Sequence, residues 1–506
     1  MGSSNGSTSS TPRVVIAGAG FGGIGLAIRL KTAGIESFTL LEKAEAVGGV
    51  WRHNSYPGLT CDVPSHLYSF SFEPKHDWSR RYPRRDEILS YLEHCVDKYG
   101  IRPHLRTGVE VASAEFDEDE ACWRVQTTDG GELEGDVFVP ATGQLGRPKY
   151  PGLPGLDRFG GKLFHSAHWE HGYDLRGKRV ASLGTGASAI QYLPEIAPLV
   201  ERLYVFQRSP SWVVPKPDRP YRPRQRALFR ALPWLQAISR WIVYWRFEML
   251  ILALTSARWL AAPYRAGYAR RLEKEIADPE LRRKLLPDFP LGCKRVLISN
   301  DYLPMLAREN VELVTDPIAE VRERAVVTRE GIECEVDTII LGTGFAANDF
   351  LAPMVIRGLG GRDLNDVWRE RDGAEAYLGL AVSGFPNMFM LYGPNTNLGA
   401  GSIIFMLESQ IEFVVSAVRE LARTGARWMD VREEVQEQFN REVQERLQGT
   451  VWTAGCQSWY RTESGKVVNN WPGFTFEYRR RTRRPDPADF RLVGSSTGAG
   501  AGLQAA

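Results

Sequence analysis

Three things are scarce in this 506-residue chain, and each absence excludes something. Net charge is the first. Its 63 basic residues are nearly matched by 61 acidic ones, which leaves no polyanion-binding footprint and argues against nucleic acid as a partner. Paired cysteine is the second. Cys61, Cys95, Cys122, Cys293, Cys334 and Cys456 are scattered, with no C-x-x-C and no zinc-knuckle spacing, so no metal site is expected and a reducing, cytoplasmic setting is. Long apolar sequence is the third. The richest stretch, 234–262, is interrupted by Arg246, Glu248 and Arg258 and falls short of the ~20 residues a membrane span needs. Residues 1–11 are Ser/Gly-rich without an apolar core, and 494–506 are Gly/Ala-rich; both read as disordered tails, the first not as a signal peptide.

Glycine, by contrast, is placed with purpose. Val14-Val15-Ile16-Ala17 is a short apolar run of the kind buried in a parallel sheet. Gly18-Ala19-Gly20-Phe21-Gly22-Gly23 follows it, then a helix-periodic segment over 24–31, then a strand over 38–41 ended by Glu42. Gly18, Gly20 and Gly23 let a backbone turn tightly and approach a pyrophosphate at the helix N-terminus. Glu42 lies 24 positions after Gly18, where an acid accepts hydrogen bonds from a ribose diol. The same grammar recurs at Gly184-Thr185-Gly186-Ala187-Ser188-Ala189, behind the apolar run 180–183 and before a helix over 187–196 and a strand over 203–206. Gly184, Gly186 and Ser188 form the second phosphate turn. Here the residue 24 positions on is Arg208, which clamps a ribose 2′-phosphate that an acid would repel. One unphosphorylated and one 2′-phosphorylated ribose point to FAD and NADPH in one chain.

Asp136-Val137-Phe138-Val139 followed by Ala141-Thr142-Gly143 reads as a strand returning to the first sheet and leaving by a glycine turn. Asp337-Thr338-Ile339-Ile340-Leu341 followed by Gly342-Thr343-Gly344 repeats it. A repeated exit is expected where one domain is inserted in another and the chain crosses twice. The fold class is therefore α/β: two Rossmann-like dinucleotide-binding domains, the NADP domain inserted in the FAD domain, with a helical insertion. The FAD domain takes 12–145 and 345–493, the latter with C-terminal cleft loops, and the NADP domain takes 146–217 and 293–344. Residues 218–292, with a basic, proline-broken start and a Trp/Ile/Leu-rich continuation, form the insertion. It reads as helices over the substrate cleft; a basic amphipathic surface over 226–262 that rests on a membrane is the second reading. A buried helix over 407–423, a charged helix over 431–447 and cleft-lining loops over 452–476, with Trp452, Trp459 and Trp471, complete the chain.

Two longer fingerprints narrow the family. One is Gly48-Gly49-Val50-Trp51, then Tyr56-Pro57-Gly58 and Cys61-Asp62; the other is Phe159-x-Gly161-x-x-x-His165-x-x-x-Trp169, followed by Glu170 where Pro or Asp is usual. With them the chain, over 12–490, resembles the Baeyer–Villiger monooxygenases of the flavin-containing monooxygenase superfamily. The resemblance implies that NADPH reduces FAD, that dioxygen adds to the flavin as a C4a-peroxide, and that a ketone is converted to an ester or lactone. It implies too that Arg295, in Gly292-Cys293-Lys294-Arg295, is the active-site cation and that Asp62 orients it. Lys294 joins Arg208 on the 2′-phosphate, while Trp51, Gln144, Asn395 and Trp459 lie along the cofactors. His165 reads as a hinge or packing residue rather than a base, since the oxygenation requires no histidine to take a proton first. The Trp-rich insertion and C-terminal stretch suggest a hydrophobic ketone.

Three other functions compete. A sulfide- or amine-oxidising flavin monooxygenase shares the cofactors, but Trp169, Asp62 and Arg295 count against it. A pyridine-nucleotide disulfide oxidoreductase needs paired redox cysteines, and the closest in sequence, Cys95 and Cys122, are 27 apart. A non-oxygenating flavin-binding protein would consume no NADPH with oxygen when given ketones.

Overall fold

The computed structural model describes residues 11–456 and 458–494; the expected tails at 1–10 and 495–506 lie outside them. The first unit starts with β1 (Val14–Ala17), α1 (Phe21–Thr32) and β2 (Phe38–Glu42). All four residues of β1 are buried, which is why it is uniformly apolar rather than alternating. Residues Leu105–Thr107 pair with β2, and β3 (Val137–Pro140) pairs with β1, giving a parallel sheet in the order Leu105–Thr107, β2, β1, β3.

The second unit is a five-stranded parallel sheet built from β4 (Lys162–His165), β5 (Arg179–Leu183), β6 (Arg202–Phe206), β7 (Val311–Val314) and β8 (Thr338–Leu341), in the order β7-β6-β5-β8-β4. The helix α2 (Ala189–Ile196) follows the second glycine turn. The two exit strands thus belong to different sheets: β3 closes the first and β8 sits inside the second, so each unit has its own glycine exit. After β8 the chain goes back. Val355–Arg357 pairs with Val111–Asp117 of the first unit, and Phe389 N donates to Phe138 O beside β3 at 3.1 Å. The second unit is therefore inserted in the first.

Five α-helices follow β6 before the chain re-enters the second sheet: Pro223–Ala231, α3 (Pro233–Leu254), Ala262–Glu275, Pro279–Leu285 and the short Tyr302–Leu306. Further on, α4 (Ile403–Thr424) packs its long apolar face into the same core as α1. Among the described residues no helix is long and apolar enough to cross a membrane.

The cysteines, scattered in sequence and expected in a reducing setting, are not all unpaired. Cys293 and Cys456, 163 residues apart, are joined in a disulfide with Cα atoms 6.2 Å apart. Distance along the chain was a poor guide, because the fold returns the C-terminal loops to the start of the second unit's second half. Cys61, Cys95, Cys122 and Cys334 are buried free thiols.

Candidate functional site

Both glycine turns open into one cavity of about 2630 Å³. That is well beyond the roughly 300–1000 Å³ of a typical small-molecule site, and suits two dinucleotides with room for a substrate. In the first turn Gly18 has φ +111°, and a Cβ there would stand 2.7 Å from Ala141 O, in the exit of β3. A Cβ on Gly23 would stand 1.9 Å from Gly18 O, so the start of α1 closes on the turn as only glycine allows. Gly20 faces Gly49 of the next loop, whose Cβ would lie 3.0 Å from Gly20 Cα. Glu42 is buried at the end of β2; its Oε2 accepts from Ala19 N at 2.8 Å and its Oε1 from Ala44 N at 2.9 Å. That fixes the carboxylate and leaves lone pairs free for a diol.

Two buried side-chain oxygens on this wall have no partner, Gln144 Oε1 and Asn54 Oδ1. Gln144 spends its amide nitrogen on Tyr392 O at 3.2 Å. Orphaned buried acceptors are costly, and acceptors facing a cavity fit a ligand that donates to them. Trp51 holds the wall nearby, its Nε1 donating to Tyr68 OH at 3.0 Å. The glycines, Glu42 and these acceptors fit FAD.

In the second turn Gly184 has φ +108° and packs on Gly342 O, while Gly186 and Ser188 face the cavity with open space beyond Gly186. Arg208 is exposed at the cavity mouth. Lys294 Nζ donates to Ser209 Oγ at 2.8 Å and lies over the Phe289 ring at 4.5 Å. Burial and then the neighbouring Arg208 charge pull the Lys294 ammonium below its ordinary range. Two neighbouring cations beside a hydroxyl fit a phosphate dianion, the kind of group a ribose 2′-phosphate presents.

Asp62 and Arg295 meet between the two units. One guanidinium nitrogen of Arg295 donates to Asp62 Oδ2, and both side chains are about a third open, at 32% and 39%, to the cavity they line. The Asp62 charge raises Arg295 further above its already high range. Burial would push the Asp62 carboxyl up, but Arg295, helped by Lys216, holds it below the usual range. Both stay ionised. Around the pair stand Tyr56, Tyr392 and Tyr460, whose hydroxyls burial pushes up, Tyr56 and Tyr460 to about 12. The Asp62 loop is bolted to the second unit. A Cβ on Gly58 would stand 2.5 Å from Gln191 O of α2, and Thr60 N and O bond the Gln191 amide at 3.0 and 3.2 Å.

His165 lies off this centre. Its Nδ1 accepts from Ala167 N at 3.0 Å, which leaves the proton on Nε2, donated to Gly344 O at 3.1 Å. Burial lowers its pKa to about 4, so both nitrogens of a neutral ring are spent on backbone beside the β8 exit. That geometry suits a joint and offers no free base. Trp169 packs edge-on to Phe164 at 5.2 Å, within the second unit's core.

Two expected site residues stand off the cavity wall. Gly23 acts behind the turn, and Asn395 gives its amide to Val467 O at 2.9 Å and Asn470 O at 3.2 Å. Asn397 lines the wall instead, accepting from Tyr392 OH at 2.7 Å. Of the three C-terminal tryptophans only Trp459 lines the cavity, while Trp452 and Trp471 are buried at 1% exposure each. The sequence reading missed Tyr460, Asn397, Phe247 and Leu250 on the wall; Tyr56 was signalled by its place in the first fingerprint.

A family model described as pyridine nucleotide-disulphide oxidoreductase matches residues 15–232. The cysteines in that stretch, Cys61, Cys95 and Cys122, are unbonded, so the match reflects nucleotide-binding architecture and not a redox dithiol. A Streptomyces coelicolor protein named Baeyer-Villiger monooxygenase is 46% identical over 488 residues, 95% of this chain and 92% of its own. A Pseudomonas aeruginosa protein of the same name is 44% identical over 483 residues, 95% and 91% of the two chains. Among solved structures, cyclohexanone monooxygenase from Rhodococcus sp. Phi1 bound to NADP+ matches with a TM-score of 0.85 at 31% identity, covering 95% of this chain and 99% of its own. An oxidised steroid monooxygenase bound to NADP matches at 0.84 and 31%, covering 96% and 100%.

Proposed function

This chain belongs to the Baeyer–Villiger monooxygenases, and we propose that it converts a hydrophobic ketone to an ester or lactone at the Arg295–Asp62 pair. The enzyme depends on FAD and NADPH. Bound FAD, reduced by NADPH, supplies the two electrons with which dioxygen is cleaved, one oxygen atom entering the ketone and the other leaving as water. The protein's own part is electrostatic. Arg295 presents a fixed cation to oxygen atoms that become anionic during the insertion, and Asp62 keeps the guanidinium from turning away. The tyrosines and the apolar wall of Phe247 and Leu250 keep water from competing.

In this reading Gly18, Gly20, Gly23, Glu42, Trp51 and Gln144 hold FAD, and Gly184, Gly186, Ser188, Arg208 and Lys294 hold NADPH, with Trp459 near the nicotinamide. Residues 12–145 and 345–493 form the FAD domain, 146–217 and 293–344 the NADP domain, and 218–292 roof the substrate cleft. The enzyme is read as cytoplasmic. The observation that carries the reading is the meeting of Asp62 and Arg295, distant in sequence, in the cavity that both glycine turns share. Linear, cyclic, aromatic and steroidal ketones, scored by product mass under NADPH and oxygen, test it. Esters or lactones from hydrophobic members are expected; oxygenation of sulfides or amines with no ester from any ketone would overturn it.

A further inference from the structure

The helix α3 has two faces with different surroundings. Its inner face is held by polar bonds: Gln236 Nε2 donates to Lys75 O at 2.7 Å, Arg240 Nη1 to His66 O and Ser69 O at 3.0 Å each, and buried Glu248 accepts from Thr475 N at 3.1 Å. Phe247 and Leu250, on the side away from solvent, form part of the cavity wall. The outer face carries Trp234, Ile238, Trp241, Ile242, Trp245 and Met249, at spacings that gather them into one stripe about 100° wide. Their exposures run from 39% to 63%.

Tryptophan is normally covered in a folded protein. Of the 14 in this chain, four are exposed, namely Trp234, Trp241, Trp245 and, just past the helix, Trp259 at 75%. All four fall within one segment. Charge is concentrated there too. Between 219 and 270 the sequence has ten arginines and a single acid, Glu248, which is buried, although the whole chain is nearly neutral. Arg222, Arg224, Arg230, Arg246, Arg265 and Arg270 are exposed, and Arg230 has Asp77 within 3.6 Å. A second copy of the chain would bring the same arginines face to face, which disfavours self-association. Indole rings at headgroup depth and guanidinium groups on phosphates are the chemistry of an anionic bilayer surface.

We propose that residues 222–270 dock on an anionic lipid bilayer, with α3 lying in the interface plane, and that lipophilic ketones dissolved in the membrane reach the cavity past α3. The proposal rests on the ketone reading and names where the substrate comes from. The helix is a wall with lipid on one side and the reaction on the other.

Holoenzyme sedimented with vesicles of phosphatidylcholine, or of phosphatidylcholine with about a third phosphatidylglycerol, tests docking without turnover. Binding to the anionic vesicles is expected at least about tenfold tighter than to the neutral ones, with blue-shifted tryptophan emission. Trp241→Ser combined with Ile242→Ser, both on the outer face, is expected to weaken that binding at least about tenfold. The variant should keep its KM for a small water-soluble ketone and show a raised KM for a long-chain ketone delivered in vesicles. Absence of vesicle binding, or undiminished binding by the variant, overturns the proposal. So does a concentration-dependent dimer in sedimentation velocity that the variant abolishes, since the face would then belong to a second copy. Ester formation from the soluble ketone reads the monooxygenase assignment separately, so the two failures are distinguishable.

Discussion

The two nucleotide turns start alike and then diverge. Gly18 and Gly184 share a left-handed φ near +110°, and a Cβ on either would strike a carbonyl in the exit of its own sheet, 2.7 Å away at Ala141 and 2.5 Å away at Gly342. Beyond that, the first turn closes at once. Its helix begins at Phe21 and needs Gly23, whereas the second begins only at Ala189, which occupies the position equivalent to Gly23. The acid Glu42 is buried and doubly bonded, while its counterpart Arg208 is exposed. We read this as the difference between a cofactor that is held and one that is exchanged. On that reading the shared glycine sets the turn, while the third position and the strand-end residue are proposed to set how tightly the ligand is kept.

The largest effect should come from closing the first turn too far. In Gly23→Ala the added Cβ meets Gly18 O at 1.9 Å, backbone that cannot swing aside, so α1 must shift and the purified protein should contain almost no flavin. Full flavin content in that variant would show that the first turn tolerates the looser build of the second. Next is the pair that joins the units. Arg295→Ala should still be reduced by NADPH but lose about 10²–10³-fold in ester formation, the loss typical of removing one preorganised donor. Single-turnover flavin reduction and product mass separate the two steps, and full ester yield would remove Arg295 from the chemistry. Smaller again is Arg208→Ala, which deletes one charge-assisted contact and should raise KM for NADPH about ten- to a hundredfold while leaving KM for NADH unchanged. An equal rise for both would mean that Arg208 does not read the 2′-phosphate.

The comparison also explains what could be read from the chain alone. Each turn, its strands and its strand-end residue fall within about 30 consecutive positions, so local rules find them, to within a residue or two at β1, β2, β5 and β6. The meeting of Asp62 with Arg295 is 233 residues wide, and no spacing rule reaches that far; a family resemblance pointed to it. The Cys293–Cys456 bond had neither signal and was missed. Sequence names Asn395 and passes over Asn397, because a loop's direction decides which of two nearby amides faces inward, and that direction is fixed by the backbone bonds Asn395 N to Val468 O and Asn397 N to Asn469 O. From sequence the segment 226–262 reads as cleft roof or membrane surface; in the structure α3 has one face against the cavity and another open to solvent.

The smallest expected effect bears most directly on the divergence. Ala189→Gly gives the second turn the third glycine of the first, yet the helix there starts too late for the change to draw it onto the turn. Only a buried methyl and some helix propensity are lost, about 1–2 kcal/mol together, which should appear as a fall of about 1–2 °C in Tm. KM for NADPH should stay within about twofold, since Gly184, Gly186 and Arg208, the residues proposed to hold the phosphates, are untouched. A rise as large as that of Arg208→Ala would mean that both turns grip phosphate by the same close approach. The distinction between a held and an exchanged nucleotide would then have to come from the strand ends alone, from buried Glu42 against exposed Arg208.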